Sequence, residues 1–169
     1  MKSIFKAVAI VTIFSVITRT LGFFFRIFLS RILGAEGLGL FQMASNVMGI
    51  FMTLIASGLP LTTAKMVTKY EVYNDLKKRN KVVTSSLIIA LSVAVASSIL
   101  VLCLKHVWNI VLTDSRAVEL LIIMVPSIIF SSVYAIFRGA LWGQSDYFHC
   151  GLTELIEQII RFILTFFML

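Results

Sequence analysis

The sequence predicts an all-α protein, a polytopic bundle of transmembrane helices, and three observations carry that expectation. Hydrophobic residues make up 59% of the 169 residues and charged residues only 14%, against about 45–50% and about 25% in soluble domains. The mean hydropathy is +1.00. Apolar runs approaching the ~20 residues that a helix needs to cross the bilayer core recur along the whole chain. This composition excludes a soluble enzyme, a disordered tail and a disulfide-rich secreted domain. The net charge of +7 reads as an orientation signal, because basic residues in a membrane protein mark its inner side; no nucleic-acid partner is expected.

Five spans follow, near residues 4–30, 38–64, 82–104, 120–137 and 155–169. The first resembles a signal peptide at its start, with Lys2 and Lys6 ahead of an apolar run. No small-x-small cleavage site follows, however, and the apolar pattern continues past Arg19. With the N-terminus inside, nine basic residues fall on the inner side: Lys2, Lys6 and Arg138, with the other six in a cytoplasmic loop at 65–81. Arg31, Lys105 and Arg116 fall outside. This bias predicts a cytoplasmic N-terminus. Cys103 and Cys150 come out on opposite sides, so no disulfide is expected. The sequence holds no metal-ligand cluster, glycine-rich phosphate loop or nucleophile motif; neither enzyme activity nor a cofactor is expected. The last residues, Phe166 to Leu169, lie within an apolar run, which reads as a piece of a longer protein.

The candidate binding residues come from polar positions inside these spans, where an arginine costs about 2.5–3.5 kcal/mol on the insertion scale and therefore seeks a cavity or a partner. In the first span Thr12, Ser15, Arg19, Gly22 and Arg26 fall on one helical face. Seven residues are 20° short of two turns, so Arg19 and Arg26 point the same way about 10 Å apart. Two aligned guanidinium groups suit a diphosphate, which accepts paired hydrogen bonds from each planar fork. The alternative makes Arg26 an interfacial snorkeller and Arg19 the partner of an unseen acid. Ile13, Phe14, Ile17, Phe24 and Phe28 cover other directions, as a lipid-facing surface would.

In the second span Gln42, Asn46, Gly49 and Thr53 share a face, which is either a cavity wall or a helix–helix seam in which Gly49 permits close approach. Gly58 and Pro60 then interrupt the helix. The third span carries only small polar residues, and Ala90, Ala94 and Ser98 form a packing ridge. In the fourth, Ser127, Ser131, Tyr134 and Arg138 align behind Pro126, which is expected to bend the helix. In the fifth, Glu154, Glu157, Gln158, Arg161 and Thr165 make the densest stripe, with Glu157 and Arg161 in the favourable acid-first i, i+4 order. That pair is either self-neutralised or released toward a substrate. The candidate binding set is therefore Arg19, Arg26, Gln42, Asn46, Glu157 and Arg161, in a bundle around a hydrophilic cavity.

The run from Thr18 through Phe23, followed by the run from Arg31 through Gly39, resembles the first-helix and first-loop signature of polysaccharide and lipid II flippases, in the superfamily that also holds the multidrug and toxin extruders. Ser57-Gly58-Leu59-Pro60 with Lys65 is similar to the end of their second helix. The runs from Arg138 to Gln144 and from Glu154 to Arg161 are closest to the stage V sporulation protein B branch. The resemblance covers nearly the whole chain. It implies a six-helix lobe, of which this chain holds about five helices, working with a second, C-terminal lobe by alternating access. It further implies a lipid-linked saccharide diphosphate as substrate, surrounding membrane lipids, and the bacterial cytoplasmic membrane as location. Spore cortex or cell-wall synthesis is the implied purpose, and Arg19 matches a cavity-lining arginine of the lipid II flippases. A cation-coupled multidrug exporter and a non-transporting scaffold are the alternatives. The first span carries arginine and no acid, which favours an anionic substrate over a coupling cation.

Overall fold

The computed structural model describes residues 2–56, 58–112 and 114–168. Ser57, Leu169 and the side chains of Lys2 and Lys6 lie outside the described residues. Seven helices are described: α1 (Lys2–Ala56), α2 (Leu59–Val72), α3 (Leu76–Cys103), α4 (Lys105–Val111), α5 (Ser115–Met124), α6 (Pro126–Gly143) and α7 (Tyr147–Met168). They form two compact units, residues 1–38 with 145–169, and residues 39–144.

The first two predicted spans are separated within α1 by one residue. Gly34 takes φ 67° and ψ −178°, a combination essentially reserved for glycine. Helical backbone resumes at once on its far side, so the expected connection at 31–37 is a kink rather than a loop.

In the first unit, the stretch of α1 from Phe14 to Phe28 packs along α7 through phenylalanines. Phe14 meets Phe148 edge-on at 5.7 Å between ring centres. Further along, Phe25 and Phe28 meet Phe162 at 6.2 and 5.3 Å, and Phe28 meets Phe166 at 6.1 Å. Both sets of numbers increase in the same direction, so the two helices run parallel. Gly151 lets them approach, because a Cβ there would overlap the ring of Phe14. This corrects the lipid-facing assignment of Phe14 and Phe28. Ile13, Ile17 and Phe24 remain exposed.

In the second unit, α2, α3 and α6 pack against one another. The core joins Ala44, Met48 and Phe51 of α1 to Ala94 and Val101 of α3 and to Val118, Leu121 and Ile128 of α5 and α6. Ala90 and Ala94 are fully buried and Ser98 nearly so, which places the small-residue ridge of α3 inside the unit. The Ser98 hydroxyl donates to the Ala94 carbonyl at 2.8 Å, so the one polar atom on that ridge is satisfied within its own helix. Pro126 marks a 42° bend between α5 and α6, as expected of a residue that cannot donate to the preceding turn. Past the end of α3, α4 is tied back by Trp108, whose Nε1 donates to the Val101 carbonyl at 3.1 Å and whose ring meets Phe51 edge-on.

The segment 65–81, expected as a loop, is helical except for the turn Tyr73–Asp75. The second span, placed at 38–64 with an interruption at Gly58 and Pro60, breaks there: α1 ends at Ala56, and α2 starts afresh at Leu59 with Pro60 in its first turn. A proline fits there because a helix's first N–H groups have no intrahelical partner.

Candidate functional site

The six candidate residues divide between the units. Arg19 and Arg26 stand exposed on α1 in the first unit. Among the described residues neither has an ion-pair partner. Gly22 lies between them in sequence, and no described atom beyond its own helix backbone lies within 4 Å of where a Cβ would sit, so the face is open within this unit. Thr18 and Thr20 turn their hydroxyls back onto the carbonyls of Phe14 and Val16, each at 2.8 Å, and leave the guanidinium groups as the free donors of this stretch.

In α7, Arg161 Nη2 donates to Glu157 Oε1 at 2.6 Å. Both side chains stay about half exposed, at 51% and 43%. The expected i, i+4 pair is therefore formed within one helix. Thr165 donates to the Arg161 carbonyl at 2.8 Å, so this part of the stripe is satisfied internally.

Gln42 and Asn46 belong to the second unit. Gln42 Nε2 donates to Asn46 Oδ1 at 3.2 Å, and both are exposed. Around Gly49, no described atom lies within 4 Å of where a Cβ would sit, so this glycine does not serve close approach within its unit. Ser45 next to this face keeps a buried hydroxyl oxygen with no hydrogen-bond partner.

Two hollows of the second unit were not anticipated as sites. One, of about 470 Å³, is lined by Pro60, Ser131, Tyr134, Arg138 and Trp142. Three members of the fourth polar stripe thus share a cavity wall. The fourth member, Ser127, instead donates to the Met124 carbonyl at 2.6 Å, beside the proline bend. The second hollow, of about 490 Å³, lies between α2 and α3 and includes Tyr70, Lys78 and Lys81. Charge counting had absorbed these lysines into an orientation signal, although the 3- to 4-residue spacing of Lys78, Lys81 and Ser85 already placed them on one helical face.

The turn joining α2 to α3 is held by Asp75. Its Oδ1 accepts the Lys78 backbone N–H at 3.1 Å, capping α3, and its Oδ2 pairs with Lys78 Nζ at 3.0 Å. The backbone hydrogen bond first, then the Lys78 side chain, holds the Asp75 carboxyl below its usual 3.8, and the side-chain hydrogen bond to Asp75 raises the Lys78 ammonium above its usual 10.5. A depressed carboxylate stabilises above its unfolded value and loses that contribution as pH falls through its folded value. A raised lysine does so below its unfolded value and loses it as pH rises through its folded one. The turn is therefore expected to keep its stability between the two usual values, 3.8 and 10.5, and to loosen outside them. Hydrogen exchange of the Lys78 amide across pH, corrected for intrinsic exchange rates, checks this; protection that declines near neutrality would contradict it.

Long apolar helices, a bent helix pair and charged faces within them define a class, the multi-pass helical membrane protein. The chain belongs to the polysaccharide biosynthesis protein family, whose model matches residues 4–169. It is similar to stage V sporulation protein B of Bacillus subtilis (strain 168), at 27% identity over 92% of this chain and 30% of that protein. It is also similar to the lipid II flippase MurJ of the same organism, at 23% identity over 91% of this chain and 30% of that protein. The chain thus spans about 30% of the length of these curated relatives. Its fold matches a multidrug resistance MATE family transporter of the MOP superfamily in an outward-facing conformation. The TM-score is 0.76 at 19% identity, covering 94% of this chain and 37% of that one.

Proposed function

We propose that this chain acts within a flippase that carries an undecaprenyl-diphosphate-linked saccharide or peptidoglycan precursor across the bacterial cytoplasmic membrane, and that it is a transporter rather than an enzyme. In this reading a further, C-terminal lobe completes the machine, and cell-wall or spore cortex synthesis uses its product. The observation that carries the reading is the pair Arg19 and Arg26, on one face of an apolar helix, without an acidic partner among the described residues. A guanidinium in apolar surroundings needs a counter-charge, and a diphosphate supplies it with acceptor oxygens that match the planar fork. Gln42–Asn46 and Glu157–Arg161 are already paired with themselves, so Arg19 leads the set and Arg26 assists.

The basic residues favour a cytoplasmic N-terminus. The parallel run of α1 and α7 in the first unit supports five crossings, because two parallel spans need an odd number of crossings between them. In the stretch from 39 to 144, α3 and the bent pair α5–α6 are each long and apolar enough to cross, and this reading takes the end of α1 with α2 as the third crossing.

The test is complementation of a flippase-deficient strain by variants of the complete protein, with membrane levels checked by blotting. Arg19→Ala is expected to abolish transport yet remain inserted. Arg19→Lys is expected to keep part of the activity, since an ammonium is a point charge without the bidentate fork. Full complementation by Arg19→Ala at normal membrane level would make Arg19 structural and overturn the reading.

A further inference from the structure

The hollow between α2 and α3 has two chemically different parts. Leu59, Met66, Val82 and Ile89 supply apolar lining, with the hydroxyl residues Thr62, Ser85 and Ser86 among them, and Tyr70, Lys78 and Lys81 supply a polar, basic end. Its volume of about 490 Å³ is within the ~300–1,000 Å³ of small-molecule sites. Along α3, Lys81 and Ile89 are eight residues apart, a rise of about 12 Å. The hollow therefore starts at the charged beginning of α3 and runs alongside its apolar length, where a membrane surface meets hydrocarbon.

The basic residues of this segment are not equivalent. Arg79 is held by Glu71 at 2.9 Å. Lys78 is paired with Asp75, but its side chain is 65% exposed, and its ammonium has three N–H donors to share. Lys81 has no ion-pair partner among the described residues. One free and one partly engaged lysine thus face the same hollow, with the Tyr70 ring beside them.

We propose that this hollow binds one anionic phospholipid, its glycerophosphate headgroup at Lys78 and Lys81 and an acyl chain along Leu59, Met66, Val82 and Ile89. The charge complementarity selects an anion, and the apolar side chains that line the hollow beyond its basic end select a lipid over a soluble phosphate. The site lies within the second unit and does not involve Arg19 or Arg26, so it stands independently of the transport reading.

The experiment is native mass spectrometry of the purified full-length chain in detergent, with phosphatidylglycerol titrated against phosphatidylcholine. One phosphatidylglycerol is expected to bind in preference to phosphatidylcholine. Juxtamembrane lysines each contribute enough attraction to anionic lipid that Lys81→Gln is expected to weaken binding about fivefold, and Lys78→Gln with Lys81→Gln about 25-fold. The backbone cap of α3 survives both changes, and circular dichroism verifies the fold. Lys77→Gln removes the same charge from a residue outside the hollow and is expected to change binding less than about twofold. An equal loss with Lys77→Gln would reduce the effect to diffuse surface charge and overturn the site. Displacement of the lipid by excess soluble glycerol phosphate would also overturn it, in favour of a simple anion site.

Discussion

Gly143→Ala is expected to destabilise the second unit by about 1–3 kcal/mol, the usual cost of overpacking a filled interface. An added Cβ would lie 2.7 Å from the Ala64 carbonyl oxygen, 2.7 Å from Val67 Cβ and 2.8 Å from Val67 Cγ1. One turn earlier, a Cβ on Gly139 would lie 2.6 Å from the Pro60 carbonyl oxygen. Backbone cannot swing aside as a side-chain tip can, so α2 and α6 would have to separate along the seam. Separation also breaks the hydrogen bond from the Thr68 hydroxyl to the Gly143 carbonyl, at 2.9 Å. Gly139→Ala is expected to act similarly. The double change should cost less than the sum, because one displacement relieves both overlaps. Gly49→Ala is the control. No described atom lies within 4 Å of its Cβ position, and alanine is favoured over glycine inside a helix by up to ~1 kcal/mol. Thermal denaturation of the detergent-purified variants reads the difference. If Gly143→Ala melts with or above the wild type, the close approach of α2 and α6 is wrong.

Glu157→Gln is expected to cost about 2.5–3.5 kcal/mol, the insertion penalty of a lone arginine at mid-membrane, because it strands Arg161. The double change Glu157→Gln, Arg161→Gln removes both charges and is expected to restore most of that loss. Breaking a pair from one side leaves an uncompensated charge, whereas replacing both partners does not. The 2.6 Å contact between the two side chains is the geometric basis, and both residues stand in a stretch from Leu155 to Phe167 whose other polar residues are only Gln158 and Thr165. Membrane level and melting temperature are the measurements. If the double variant is as damaged as Glu157→Gln, the two residues act separately rather than as a pair.

The Glu157–Arg161 pair was legible in the sequence because both partners belong to one helix, where a four-residue spacing fixes their proximity before any packing occurs. The same holds for Gln42 and Asn46, for the alignment of Arg19 with Arg26, and for the bend at Pro126. Each depends only on helix geometry or on a missing backbone donor. What the stripes touch beyond their own helix was not legible. Ser131, Tyr134 and Arg138 share a face by spacing alone, but the cavity they line also needs Pro60 from α2.

By itself, then, the sequence determined the all-helical membrane class, the number of apolar runs and the polar faces along them. The cost of placing charge in hydrocarbon is a property of the residues themselves. Tertiary structure alone decided which apolar faces are packed. Lipid tails are as apolar as leucine or phenylalanine, so a phenylalanine is equally at home against lipid or against another helix. Phe14 and Phe28 read as lipid-facing, yet they meet Phe148, Phe162 and Phe166. Gly139 and Gly143 stand at a small-xxx-small spacing in the sequence, but only the fold shows that the backbone of α2 occupies the space where their side chains would be. In the segment 65–81 the basic residues signalled a side of the membrane. Its helical form came from elsewhere: Asp75 caps α3, and α2 and α3 pack against α6.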